Sequence, residues 1–248
     1  MQITILLYEQ FTALDAIGPY EILSRLNGAR VVFAAEKAGP VPADTGMLTV
    51  TADAALGDVP HPDIVLVPGG PGQDAQMDNG PVLDWLRRAD AASSWTTSVC
   101  TGSLILAAAG LLDGRRATSH WLHLERLREF GARPVSERVV MDGKYVTAAG
   151  VSAGIDMALG LSGRIAGTPA AQAIQLMIEY DPHPPLTAGS PSTAPPDLVT
   201  SLRVRSRRAR LGRGLDRVGR GPDGVGRGPD RVGRQPDGPP QARRDASA

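Results

Sequence analysis

The chain is poor in cysteine, in histidine and in long apolar runs. It has one cysteine, Cys100, among 248 residues. That excludes an intrachain disulfide framework and suits a reducing compartment such as the cytosol. No apolar stretch approaches the roughly 20 residues that a transmembrane helix requires. The first residues, Met1-Gln-Ile-Thr-Ile-Leu-Leu-Tyr8, lack a basic n-region and a cleavage site, so they read as a strand and not a signal peptide. The four histidines are His61, His120, His123 and His183. His61, His123 and His183 have no metal-ligand spacing to cysteine, another histidine or an acidic residue, so no metal site is expected.

Net charge is zero, but only as a sum of two opposed pieces. Residues 1–200 carry 13 basic and 21 acidic side chains, a net of −8. Residues 201–248 carry 13 arginines and 5 aspartates, a net of +8. The acidic piece is large enough to bury a core, and its sign argues against a nucleic-acid-binding surface. The boundary expected from composition puts a folded domain at 1–198 and a basic Gly/Pro/Arg tail at 199–248. Within the tail, residues 216–222, 223–229 and 230–236 are three copies of a seven-residue unit. Glycine and proline in every copy rule out a coiled coil, and too few apolar residues remain to offset the entropy of ordering. The tail is therefore expected to be disordered. An Arg/Gly tail can touch RNA or acidic partners; a low-complexity extension without a role is the alternative.

Strand and helix patterns alternate along residues 1–180. Residues 3–8 are a short apolar run fit for a strand buried on both faces, 30–35 read as a second strand, 63–68 as another buried strand and 96–99 as the strand feeding Cys100. Residues 42–52 read as a hairpin with Thr45-Gly46 near its turn, and 138–147 as two strands around Asp142-Gly143. Helical spacing marks 14–26, 81–91, 101–112, 120–130, 152–165 and 170–180. Pro19 is awkward inside the first of these, so its regular part is expected to begin near Gly18-Pro19. In 120–130 the expected anchors are Leu122, Leu127 and Phe130. The pattern predicts an α/β fold: a doubly wound, mainly parallel sheet sandwiched by helices, flavodoxin-like, with the cysteine on a nucleophile elbow.

Cys100 falls where a buried strand should end and a helix begin, in Trp95-Thr-Thr-Ser-Val-Cys100-Thr-Gly-Ser-Leu104. Free N–H groups and the positive end of a helix favour a thiolate there. The alternative is a small buried hydrophobe, the common fate of a free cysteine. Ligands of doubly wound sheets bind beyond the carboxyl ends of the strands. Those ends bring Asp15, the Gly69-Gly70 turn and Cys100-Thr101 towards one place. A thiolate attacks an electrophilic carbon, and N–H groups of Gly70 and Thr101 could stabilise the charge that develops. Asp15 could move a proton, or it could serve only as a helix N-cap. His120 could face the thiol, cap its helix or fill the pocket wall. Trp95, Trp121 and Tyr20 are candidates to line the pocket, with core packing the default for each.

Several of these stretches resemble one family. Ser98-Val-Cys-Thr-Gly-Ser103 and Ala107-Ala-Ala-Gly-Leu-Leu-Asp-Gly-Arg-Arg-Ala-Thr-Ser-His-Trp121 look like the PfpI-like branch of the class I glutamine amidotransferase-like superfamily. Val67-Pro-Gly-Gly-Pro-Gly72, Leu14-Asp-Ala-Ile-Gly-Pro-Tyr-Glu-Ile-Leu23 and Ala149-Gly-Val-Ser-Ala-Gly-Ile-Asp-Met-Ala-Leu159 fit the same branch. The resemblance covers about residues 1–198. Within the branch the text is most similar to members that hydrate isonitriles, and Gln175-Leu-Met-Ile-Glu-Tyr-Asp-Pro-His-Pro-Pro185 echoes their C-terminal pattern. It implies a homodimer and a cofactor-free hydration of isonitriles to N-substituted formamides; the cytoplasmic location is expected from the lone cysteine. By the same resemblance Cys100 is the nucleophile, Asp15 the acid/base and Thr101 a positioning or specificity residue. From the strand-end reading, Gly70 and His120 are the candidates for oxyanion and pocket positions. Peptidase-like members carry histidine directly after the nucleophile; Thr101 stands there instead, which argues against peptide cleavage.

Two rival functions come from other classes. AraC-type transcription regulators carry a sensing domain with nearly the same Val-Cys-Thr-Gly and Ala-Thr-Ser-His-Trp text, followed by helix-turn-helix units. The Gly/Pro/Arg repeats stand here instead of such units, which favours an enzyme. A glyoxalase- or chaperone-like stress protein with a redox-sensing thiol is the other rival.

Overall fold

The computed structural model describes residues 1–218. Its compact unit runs from Met1 to Val199. The strands are β1 (Gln2–Leu6), β2 (Arg30–Ala35), β3 (Gly39–Pro42), β4 (Thr49–Ala52), β5 (Ala54–Ala55), β6 (Ile64–Val67), β7 (Trp95–Val99), β8 (Arg116–Ala117), β9 (Arg133–Pro134), β10 (Val139–Asp142) and β11 (Tyr145–Ala148). The helices are α1 (Ala13–Leu23), α2 (Gln73–Gln76), α3 (Gly80–Ala92), α4 (Gly102–Ala108), α5 (Ala153–Ala166), α6 (Thr168–Met177) and α7 (Pro196–Val218).

The central sheet has the order β10-β11-β7-β6-β1-β2-β5. All of its pairings are parallel except β10 with β11. Helices flank it, as an α/β sandwich of this type requires. The reason lies in the strands. Every residue of β6, Ile64 to Val67, is fully buried, and Ile3, Ile5 and Leu6 of β1 likewise. Strands apolar on both faces need cover on both, each such side chain contributing about 1.5–3 kcal/mol when buried. Helix α3 shows how cover is built. Asn79 caps it through Val82 N, Pro81 sits in its first turn, and Val82, Leu83, Trp85, Leu86 and Ala89 form its buried stripe. The indole of Trp85 donates to Val59 O at 3.1 Å, so its one polar atom is satisfied.

Three elements differ from their sequence expectations. Helix α1 begins at Ala13, after Thr12, and contains Pro19 in its interior. Proline there cannot donate to the carbonyl of Asp15, a loss that tertiary packing outweighs. Glycines bring α1 and α5 close: a Cβ on Gly154 would lie 3.1 Å from Pro19 Cγ, and one on Gly18 would lie 3.1 Å from Ile155 Cγ1. Residues 120–130 form turns and then a 3-10 helix, Leu124–Phe130, in which only Leu127 is buried; Leu122 and Phe130 are half-buried. That segment lacks the unbroken apolar stripe that tertiary packing needs to hold an α-helix. The third is α7, which lies in the tail expected to be disordered. No proline falls between Pro196 and Pro222, and Arg, Leu and Ala are good helix formers, so residues up to 218 are helical. The Gly/Pro repeats, apart from residues 216–218, lie outside the described residues.

One glycine fixes how α4 docks. A Cβ on Gly102 would collide with the carbonyl oxygen of Val67 and lie 2.8 Å from that of Pro68. Both obstacles are backbone and cannot rotate away. Gly102→Ala should therefore cost about 3 kcal/mol of stability, at the upper end for overpacking. Urea unfolding measures it; a loss below about 1 kcal/mol would show that the β6–α4 contact gives way.

Candidate functional site

Strands β7, β6 and β1 are neighbours, so their carboxyl ends open side by side. The segments that leave these three ends meet there. The one after β1 leads through Thr12 into α1 and supplies Asp15 in its first turn. The turn after β6 supplies Gly69 and Gly70. The end of β7 supplies Cys100, immediately before Thr101 and α4.

Cys100 turns sharply, with φ 58°. A residue with a Cβ pays roughly 1–2 kcal/mol in this left-handed region. Four hydrogen bonds hold it there. Its N–H donates to the carbonyls of Ala148 (3.0 Å) and Ala149 (3.2 Å), and its own carbonyl accepts from Ser103 Oγ (3.2 Å) and Ser119 Oγ (3.0 Å). The strain sits at the nucleophile candidate and is over-determined by its surroundings, the pattern expected of a functional turn.

Asp15 is fully buried. Its Oδ2 accepts from Gly69 N at 2.8 Å. Its Oδ1 is buried without a full hydrogen bond of its own, and the Cys100 thiol is the side chain that interacts with the carboxyl. Burial raises the Asp15 pKa from 3.8 to about 7; the Gly69 N–H and the thiol oppose the rise, and Asp44 adds to it. Asp15 is thus a carboxyl poised to take or give a proton near neutrality.

The thiol is held in the opposite sense to the sequence expectation. Burial, and then the charge of Asp15, push the Cys100 pKa well above its ordinary value. The resting group is therefore a thiol and not a thiolate. Helix α4 is only seven residues long, and at 6 % exposure the cost of desolvating an anion outweighs its dipole. Two hydrogen bonds favour the anion, from the N–H and from the hydroxyl of Thr101. Gly70 N donates to Thr101 Oγ1 at 3.0 Å. The hydroxyl accepts from Gly70 and so directs its own proton to the sulfur. The N–H groups of Gly70 and Thr101, expected to face developing charge on a substrate, are thus engaged within the protein. The turn admits nothing larger: a Cβ on Gly69 would overlap Thr101 N and come within 2.9 Å of Cys100 Cβ.

His120 stands apart from this pair. Its Nδ1 accepts from Leu122 N at 3.3 Å, which leaves the ring proton on Nε2. Burial lowers its pKa, so the ring is neutral at pH 7. A Cβ on Gly150 would strike the imidazole, so ring and backbone are in close contact. Among the described residues it has no hydrogen bond to Cys100 or Asp15. It lines instead a cavity of about 720 Å³ together with Leu14, Ser119, Trp121, Ala149 and Gly150. Neither Cys100 nor Asp15 lines this cavity, but residues bonded or adjacent to them do. Leu14 precedes Asp15, Ser119 Oγ donates to the Cys100 carbonyl, and the Ala149 carbonyl accepts from Cys100 N. Of the three aromatic candidates, only Trp121 lines it. Trp95 begins β7, at the far end from Cys100, and Tyr20 packs on Phe33 with ring centroids 5.3 Å apart.

Sequence reasoning missed Tyr8 and Asp44. Tyr8 is buried at the carboxyl side of β1, and its hydroxyl donates to Pro68 O at 2.8 Å. Burial, then Asp15, Cys100 and Asp44, raise its pKa. Asp44 accepts from Thr12 Oγ1 at 2.8 Å beside the start of α1. A polar-tipped aromatic ending a buried strand was the one signal available for Tyr8. Asp44 gave none, because it arrives from the β3–β4 hairpin. Among the described residues, no group of three or more His, Cys, Asp or Glu is placed to hold a metal ion, and no helix is long and apolar enough to cross a membrane.

Comparison with known proteins places the chain in a family. Residues 1–163 match the DJ-1/PfpI family. Isonitrile hydratase of Pseudomonas putida is 43% identical over 206 residues, spanning 83% of this chain and 90% of that protein. The crystal structure of a THiJ/PfpI family protein from Pseudomonas syringae superposes with a TM-score of 0.81 at 38% identity, covering 84% of this chain and 86% of that one. The HTH-type transcriptional regulator CdhR of Pseudomonas aeruginosa is 37% identical over 125 residues, half of this chain and 37% of the regulator.

Proposed function

Because the chain belongs to the DJ-1/PfpI family, we propose that it hydrates isonitriles to N-substituted formamides, with Cys100 as nucleophile and Asp15 as acid/base. The observation that carries this reading is the buried carboxyl–thiol pair: one acid near pKa 7 against one neutral thiol. The likeness to an isonitrile hydratase over nearly the whole of that protein supports it, and the likeness to a regulator covers only a fraction of the regulator.

The chemistry balances without a redox step. Asp15 takes the thiol proton as sulfur bonds to the terminal isonitrile carbon, and the Thr101 N–H and hydroxyl steady the sulfur while it carries charge. Asp15 returns the proton to that carbon, giving the thioimidate R–N=CH–S–Cys. Water then adds to the same carbon; Asp15 takes a water proton and passes it to nitrogen. Collapse breaks the C–S bond, restores the thiol and releases R–NH–CHO. The sum is R–N≡C plus H2O. In this reading the enzyme is a cytosolic homodimer without a cofactor. Its partner is a small molecule, and the net charge of −8 on residues 1–200 suits neither nucleic acid nor an anionic membrane surface.

The test is direct. The purified protein incubated with cyclohexyl isocyanide should yield N-cyclohexylformamide, identified by mass spectrometry. Folded protein that gives no formamide above the uncatalysed rate would overturn the reading.

A further inference from the structure

The cavity lined by the neighbours of Cys100 and Asp15 is larger than a small isonitrile needs. Its volume of about 720 Å³ lies within the roughly 300–1,000 Å³ of sites that enclose drug-sized ligands. A one-ring substrate would leave most of it wet. Its apolar lining includes Leu14, Trp121, Leu124 and Val151. A wall segment is contributed by Gly189, Ser190, Pro191 and Ser192, which lie beyond the residues matched to the family. This wall is braced internally. Ser190 Oγ is 2.8 Å from Ser192 Oγ and 2.9 Å from Thr193 Oγ1, and Thr193 N and Ala194 N donate to the Ser190 carbonyl. Each hydroxyl has one donor and two acceptor sites, so the cluster retains capacity for a ligand. The charged groups of the cavity are already paired: Arg138 with Asp156, and Glu137 with Arg116. His120 is neutral. Among the described residues, nothing lining the cavity offers a free countercharge to an ionised substrate.

We propose that residues 189–192 are the specificity-determining wall of the site, and that they select a bulky, uncharged isonitrile carrying a distal hydrogen-bonding oxygen. The apolar body lies against Trp121 and Leu124, and the oxygen meets Ser190 and Ser192. This rests on the hydratase reading.

The experiment compares cyclohexyl isocyanide with 4-(4-hydroxyphenyl)phenyl isocyanide. The wild-type protein should show the higher kcat/KM for the extended substrate, and the double variant Ser190→Ala/Ser192→Ala should lower the ratio of the two about tenfold. A wild-type preference for cyclohexyl isocyanide, or a ratio that the variant leaves unchanged, would overturn the wall. If folded wild type turns over neither compound, the hydratase reading falls, and the wall is judged by calorimetry alone. The extended isonitrile is titrated into Cys100→Ala with and without the two serine changes. A fivefold weakening supports the wall; equal or undetectable binding removes it.

Discussion

Replacing Cys100 by alanine should lower kcat/KM for isonitrile hydration by at least about a thousandfold, or some 4 kcal/mol of transition-state stabilisation at 1.36 kcal/mol per decade. The sulfur is the strongest nucleophile among the described groups of the site and the one suited to bond to the substrate carbon and then leave. Cys100→Ser is the stricter version. Serine keeps an acceptor for the Thr101 N–H and hydroxyl and keeps the backbone turn, yet its alkoxide is far harder to form and to expel. Both variants should fold. Cys100 is held at φ 58° by bonds through its own backbone, which neither change removes. Thermal melts within a few degrees of wild type, beside lost turnover, are the expected pair of results. Retained turnover in either variant would mean that the carboxyl, and not the thiol, activates water directly.

Asp15→Asn should separate activity from stability in opposite directions. The wild-type carboxyl holds its proton more tightly when folded, at about 7 against an ordinary 3.8. Between those values the folded state binds more protons than the unfolded one. Stability therefore falls as pH rises from about 4 and levels off above about 7, at a cost approaching 4 kcal/mol for that shift. Asparagine has no proton to lose, and its Oδ1 can still accept from Gly69 N. The variant should match wild type near pH 4 and exceed it by about 2–4 kcal/mol at pH 8, as measured by urea unfolding. Activity should move the other way. In wild type, kcat/KM should climb about tenfold per pH unit up to about 7 and then flatten, as the carboxyl–thiol pair sheds one proton. In Asp15→Asn the rate at pH 7 should fall at least a hundredfold, and the break near 7 should vanish. What remains should keep rising into the alkaline range, tracking a thiol whose pKa burial has raised. Equal stability at pH 4 and 8 in both proteins would show that Asp15 is ionised at no cost. The gain in stability expected of the inactive variant is the trade between stability and activity usual at a built site.

The strand ends that carry these two groups were legible in advance. A short strand-forming run ended by Gly-Gly, or by Cys-Thr-Gly before a helix, has few local alternatives. That placed Gly69-Gly70 and Cys100 at the ends of β6 and β7; the apolar runs of β1 and β2 and the Gly turns of the two hairpins were local signals of the same kind. Pro19 misled because its local penalty was real; Gly18 and Gly154, far apart in the chain, let α1 and α5 approach closely enough to outweigh it. The α-helix expected at 120–130 failed for the converse reason: its apolar residues had helical spacing, but only Leu127 is fully buried, with Leu124 and Phe130 packing partly against the core.

The sequence by itself determined the kinds of group available: one thiol, a carboxyl in the first turn after a buried strand, and a hydroxyl where some relatives place an imidazole. It determined the strand-to-helix turn that presents the thiol, because period, glycine and chain direction act locally. Only the tertiary structure decided what those groups are. The order β7-β6-β1 brings Cys100 to Asp15 across 85 residues of chain, and no local pattern encodes a strand order. Burial then reverses the expected charge, leaving sulfur protonated and the carboxyl near pKa 7, since desolvation depends on everything packed around a group. The cavity wall at residues 189–192 is likewise a product of packing, formed where a stretch without regular structure folds back beside Trp121.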